Sequence, residues 1–237
     1  MADWSSDEMM TVAASRQLSD GSVCFVGIGL PSEAANLARA LHAPDCVLVY
    51  ESGCIGAKPT VLPLSIGDGE LAETADAVVS VPEMFSYWLQ GGRIGVGFLG
   101  AAQIDRRGNL NSTVIGDYDR PNVRLPGGGG APEIATSVEN VFVMLRHSVR
   151  SFVPELDFTT SVGDNVRVVV TDLGILEPRD GELELTAVHQ GVDADDVLNS
   201  TGWELRLADD VQETAPPTRD ELDALRALES RGGSTWP

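Results

Sequence analysis

Lysine is almost missing from this chain. Lys58 stands alone among 237 residues, and the other fifteen basic residues are arginines. Positive charge is scarce altogether: 16 Lys and Arg face 36 Asp and Glu, for a net charge of −20. A surface so acidic repels phosphate backbones and anionic lipid headgroups, so nucleic acid and membrane surfaces are excluded as expected partners. High-GC coding and a salt-adapted proteome each replace lysine by arginine, and the acid excess fits the second as well.

Other absences narrow the reading further. No apolar run reaches the ~18–20 residues of a membrane helix. The opening Met1-Ala2-Asp3-Trp4-Ser5-Ser6-Asp7-Glu8 is acidic where a signal peptide is basic and then apolar, so a cytoplasmic location is expected. Cys24, Cys46 and Cys54 make no CxxC, and an odd number argues against a disulfide framework. His42, His147 and His189 are scattered, so no metal site is expected. Gly-x-Ser-x-Gly, P-loop and HExxH motifs are missing too.

What remains is an ordinary globular composition, 43% hydrophobic and 22% charged. Its length suits a single domain over 1–237, with residues 175–237 expected as a C-terminal wrap. Apolar spacing predicts a helix from Met9 to Leu18, ended by Asp20-Gly21. A strand over Ser22–Val26 breaks at Gly27-Ile28-Gly29, a tight turn rather than a full dinucleotide fingerprint. Ser32 is expected to cap a helix over Glu33–Leu41, and Cys46–Tyr50 reads as a second buried strand. Further strands are expected at Ala77–Val81, Ile94–Leu99, Asn140–Leu145 and Arg167–Thr171, with helices at Pro82–Gln90 and Asp220–Ser230. Asp105–Gly116 and Pro126–Ala131 resist regular structure. The alternation predicts an α/β fold: an open, largely parallel sheet with flanking helices.

Chemistry concentrates in a few places. Glu51 follows four apolar residues, where a parallel strand ends and open sheets bind ligands. A surface acid in a βα loop fits the pattern equally. Gly127-Gly128-Gly129-Gly130 could present adjacent backbone N–H groups as an anion nest, or serve as a connector. Gln103, Asn109 and Asn111 could orient a carboxylate, although asparagines in such a stretch also bond their own backbone. Arg150 is a natural phosphate ligand or a solvent-facing base.

In order along the chain come Ala43-Pro44-Asp45-Cys46, Glu51-Ser52-Gly53, Gly100-Ala101-Ala102-Gln103-Ile104-Asp105 and Gly108-Asn109-Leu110-Asn111-Ser112-Thr113. Ile115-Gly116-Asp117-Tyr118, Gly129-Gly130-Ala131, Val170-Thr171-Asp172, Gly174-Ile175-Leu176 and Asn199-Ser200-Thr201-Gly202 extend the series. With the opening Met1-Ala2-Asp3 and Glu8-Met9, the chain resembles the β subunit of class I CoA-transferases, most closely that of glutaconate CoA-transferase. The resemblance implies Glu51 as the catalytic carboxylate and Gly129 and Gly130 as oxyanion donors. It places Ser52, Gly53, Gln103 and Asn109 at the substrate and Arg150, where relatives usually carry lysine, near CoA. No permanently bound cofactor is implied; coenzyme A is a co-substrate, passed between an acyl-CoA and a short-chain or dicarboxylic, glutaconate-like acid through glutamyl anhydride and glutamyl-CoA thioester intermediates. The implied partner is an α subunit, commonly in an α2β2 assembly.

Relatives on this scaffold also hydrolyse or decarboxylate acyl-CoAs, and these tend to lack the glutamate. A non-catalytic structural subunit is the remaining alternative. Cys54 either lines the pocket or fills a small buried space. Between Ser161-Val162-Gly163 and Val168-Val169-Val170 the chain is shorter than the glutaconate enzyme, so glutaconate is not assumed as substrate.

Overall fold

The computed structural model describes residues 3–231, so Met1 and Ala2 of the opening motif lie outside the described residues. Two compact units form, one from the residues up to Phe98 together with those from Pro217, the other from Leu99–Pro216.

The first unit runs through α1 (Ser6–Ser15), β1 (Val23–Phe25), α2 (Leu30–Leu41), β2 (Val47–Val49) and β3 (Cys54–Ile55). It continues with α3 (Gly69–Glu73), β4 (Ala77–Val78), α4 (Val81–Glu83), a π-helical stretch over Met84–Leu89, and β5 (Val96–Gly100). Its strands lie in the order β4-β3-β2-β1-β5. β1 pairs in parallel with β2 and β5, whereas β3 and β4 add on antiparallel.

The second unit begins with two hairpins, β6 (Gln103–Ile104) with β7 (Leu110–Asn111) and β8 (Val114–Gly116) with β9 (Pro121–Arg124). Then come α5 (Ala131–Ser137), β10 (Asn140–Met144), β11 (Val166–Val170), β12 (Gly174–Arg179), β13 (Glu182–Val188), α6 (Ala194–Asn199) and β14 (Arg206–Glu213). The strands β10 to β14 stand in chain order, with β10–β11 and β13–β14 parallel and the two pairs between them antiparallel. The fold is therefore α/β, a sheet with parallel strands and flanking helices, as expected.

Several boundaries are corrected. α1 starts three residues before the predicted Met9, because Ser5 and Glu8 form a capping box: the Glu8 N–H donates to Ser5 Oγ, and the Ser5 N–H to the Glu8 carboxylate. α2 begins at Leu30 with Gly29 as its N-cap, so Ser32 sits inside the first turn and its hydroxyl is released for another use. The expected wrap over 175–237 divides. Residues 175–216 build β12 to β14 and α6, and only α7 (Arg219–Arg231) belongs to the first unit. The hairpin between β12 and β13, absent from the expected elements, turns on Asp180-Gly181, with φ of 52° and 81°. That is the backbone a two-residue Asp-Gly turn requires.

α7 closes the first unit. Leu225 meets Val12 of α1 and Leu37 of α2, all fully buried, with Ala224 and Leu228 packed alongside. Arg16 holds Glu221 with two hydrogen bonds of 2.8 and 2.7 Å, and Arg226 pairs with Glu8 at 2.6 Å. The Arg226 hydrogen bond holds the Glu8 carboxyl below its ordinary range.

The second unit buries a histidine. His147 follows β10, lies flat on Phe152 at 3.7 Å between ring centroids, and is bonded through its ring nitrogens to Thr171 and Thr201. Burial pushes its pKa down to about 4, against a smaller opposing pull from Asp172. An unfolded histidine titrates near ~6.5, so between those values the unfolded chain binds more protons than the native one. The stabilisation from neutral His147 is thus complete above pH ~6.5 and is lost as pH falls toward 4, by up to ~3 kcal/mol. Melting temperature should drop steeply across that window, and His147→Gln should flatten the slope; an unchanged slope would show that other groups drive acid unfolding.

Candidate active site

Glu51 stands at the corner of a hairpin, not in the βα loop that its position after β2 predicts. β2 ends at Val49, and Val49 pairs directly with Ile55 of β3. The Tyr50 N–H donates to the Cys54 carbonyl and the Gly53 N–H to the Tyr50 carbonyl, each at 2.9 Å. That leaves Glu51 and Ser52 as the two corner residues of the turn, both half-buried. Among the described residues, nothing donates to or pairs with the Glu51 carboxylate.

The turn itself is held firmly. Gly53 has φ of +101°, and a Cβ there would stand 2.0 Å from the Val79 carbonyl oxygen. Only glycine fits this close approach, and the Val79 N–H returns a 3.0 Å bond to the Gly53 carbonyl. The Ser52 hydroxyl donates to Cys54 Sγ at 3.5 Å. Cys54 is buried at 3% exposure, so it fills the hairpin interior beneath the corner.

The other candidates lie in the second unit. Gly129 and Gly130 end the glycine run, and Gly130 is the N-cap of α5. The run is fastened at Gly127, whose N–H donates to the Ser112 carbonyl and whose carbonyl accepts from Ser112 Oγ at 3.0 Å. Ala131 N–H donates back to Gly128 O. Among the described residues nothing accepts from the Gly129 or Gly130 amide. The run is therefore an ordered turn with two unused donors.

Gln103 and Asn109 have intrachain work at both amide ends. Gln103 accepts from Asn111 and donates to the Asp157 carboxylate at 2.8 Å. Asn109 donates to Asp105 at 2.8 Å and accepts from the Gly163 N–H at 2.9 Å. Through these bonds the two residues, expected at the substrate, also fasten the β6–β7 hairpin to the 157–163 segment. Arg150 is exposed on the turn after β10. Among the described residues there is no cluster that could hold a metal ion, and no helix is long and apolar enough to cross a membrane.

A carboxylate without partners on a braced turn, and a glycine turn with two idle amides, are the parts that acyl transfer through an acid nucleophile uses. Residues 7–200 match the coenzyme A transferase family model, and the chain belongs to that family, as the β subunit of a class I CoA-transferase. Over 98% of its length it is 60% identical to the B subunit of 3-oxoadipate CoA-transferase from Pseudomonas knackmussii, covering 95% of that protein. The B subunit of glutaconate CoA-transferase from Acidaminococcus fermentans is 33% identical, with 96% and 97% of the two chains covered. The crystal structure of that glutaconate enzyme superposes with a TM-score of 0.87 at 31% identity, over 94% of each chain. The decarboxylase AibA/AibB superposes as well, with a TM-score of 0.88 at 28% identity, over 98% and 97% of the chains.

Proposed function

We propose that this chain, together with a CoA-transferase α subunit in an α2β2 assembly, moves CoA between an acyl-CoA and a free dicarboxylate of the 3-oxo type, with Glu51 as nucleophile. The observation that carries the reading is the Glu51 carboxylate itself, half-exposed and unpartnered on a turn whose neighbours are all locked. The substrate class is supported by the 60% identity to the 3-oxoadipate enzyme's subunit, against 33% to that of the glutaconate enzyme.

A Glu51 oxygen attacks the thioester carbonyl carbon, the C–S bond breaks, and CoA leaves as thiolate, giving a mixed acyl-glutamyl anhydride. The thiolate then attacks the glutamyl carbonyl carbon, releasing the first carboxylate and leaving CoA as a thioester on Glu51. An acceptor carboxylate reverses both steps. One thioester replaces another, so no nucleotide is consumed. Each addition passes through a tetrahedral oxyanion, for which the Gly129 and Gly130 amides are the proposed donors; one such donor contributes roughly 2.7–4 kcal/mol. Ser52 and Gly53 set the height of the nucleophile. Arg150 is proposed to meet the anionic part of CoA, and the scarcity of other basic residues leaves most of that charge to the partner.

Intact-mass measurement on the co-purified complex tests this. Incubated with an acyl-CoA of a 3-oxo dicarboxylic acid and no acceptor, this chain gains the mass of CoA, faster than with glutaconyl-CoA, and the Glu51→Ala chain does not. Acyl-CoA consumed without an adduct would move the reading to hydrolysis or decarboxylation.

A further inference from the structure

The hairpin that carries Glu51 is small: β2 has three residues and β3 two, and an isolated hairpin of that size is marginal. Pairing with β1 and β4 supports its strands, and a side-chain contact ties its corner to α2. Tyr50, immediately before Glu51, supplies both backbone bonds that close the turn and sends its side chain the other way, into the core at 0% exposure. The phenol oxygen lies 3.2 Å from Ser32 Oγ and accepts from Asn36 Nδ2 at 3.3 Å. Ser32 and Asn36 are four residues apart on one face of α2, and Asn36 Nδ2 also donates to the Ser32 carbonyl at 2.9 Å. α2 is in turn clamped by the Val12–Leu37–Leu225 core.

This polar trio is an expensive way to fill a core. Asn36 is 1% exposed, and among the described residues its Oδ1 has no hydrogen-bond partner. An unpaired buried acceptor costs stability that phenylalanine at position 50 and apolar residues at 32 and 36 would avoid. Departures from the local rule of this kind collect where placement matters more than stability. From these contacts we infer that Tyr50, held by Ser32 and Asn36, is a positioning residue that fixes the Glu51 carboxylate for attack on the thioester. The inference rests on Glu51 being the nucleophile. Burial raises the Tyr50 pKa, so the phenol remains protonated and hydrogen-bonding throughout the neutral range.

The test uses Tyr50→Phe and Ser32→Ala in the complete complex, beside Glu51→Ala. A misplacement of ~1 Å at a reacting group is worth about a hundredfold in rate. Both brace variants are expected to lose ten- to hundredfold in kcat and in the rate of CoA-thioester formation on Glu51, with KM within about twofold of wild type. Wild-type rates in either folded variant overturn the inference, as does a raised KM with kcat intact. Failure of both variants to assemble overturns it too, by making the trio purely structural. An adduct lost in Glu51→Ala but formed at full rate in Tyr50→Phe overturns the brace alone. One that survives Glu51→Ala overturns the nucleophile assignment, and the brace with it.

Discussion

Replacing Glu51 by alanine should abolish CoA transfer, by at least ~10⁴-fold in kcat, while the folded complex melts within about 2 °C of wild type. The two halves of that expectation have separate causes. Covalent transfer has no alternative nucleophile at the corner: Ser52 beside it gives its hydroxyl to Cys54, and Cys54 is buried. Stability is spared because the Glu51 carboxylate makes no intrachain bond among the described residues, and such substitutions usually fall within about 0.5 kcal/mol. Glu51→Asp separates chemistry from reach. It keeps the carboxylate but draws it back by about one methylene, so activity should fall ~10²-fold with the same adduct still formed slowly. Steady-state rates and intact mass read both variants; an Ala variant within tenfold of wild type would end the covalent mechanism.

Gly53→Ala should damage fold and activity together. The added methyl carbon would stand 2.0 Å from the Val79 oxygen, a backbone atom that cannot swing aside, at a φ of +101°. Backbone strain of this kind costs ~1–3 kcal/mol before the clash is counted. For a chain of this size each kcal/mol is worth about 2–4 °C, so melting should fall by at least ~5 °C. Relief comes only if the turn moves off β4, which carries Glu51 with it, and kcat should drop ~10²-fold or more. Wild-type melting and turnover in Gly53→Ala would mean that the turn is softer than its geometry.

Much of this is legible in the residues alone. Of the parallel strands, β1, β2, β5, β10 and β11 announce themselves as short, mainly apolar runs, because a strand covered on both faces has little polar surface. β13 and β14 also pair in parallel but are interrupted by charged residues and do not. Glu51 is visible as an acid closing such a run, and the glycine run as an anion nest or a connector. The hairpin around Asp180-Gly181 also has a local signal, the Asp-Gly pair between strand-like segments. Ser5 and Glu8 likewise carry a capping box in plain view.

Other features have no local signal. Nothing in the spacing of Gln103 and Asp157, or of Asn109 and Gly163, says that these residues meet, since each pair is 54 positions apart. Ser32 has the composition of a helix cap, yet its hydroxyl serves Tyr50, eighteen residues on. The sequence by itself determined the class of fold, the acidic charge and the identity of the carboxylate at the end of β2, because strand burial, net charge and residue type are local properties. Tertiary structure alone decided that Glu51 sits on a hairpin corner, that Gly53 must be glycine because Val79 lies against it, and that Tyr50 ties the corner to α2. Those are long-range contacts, made when β4 and α2 come up against the hairpin, and the chain near residue 51 carries no record of them.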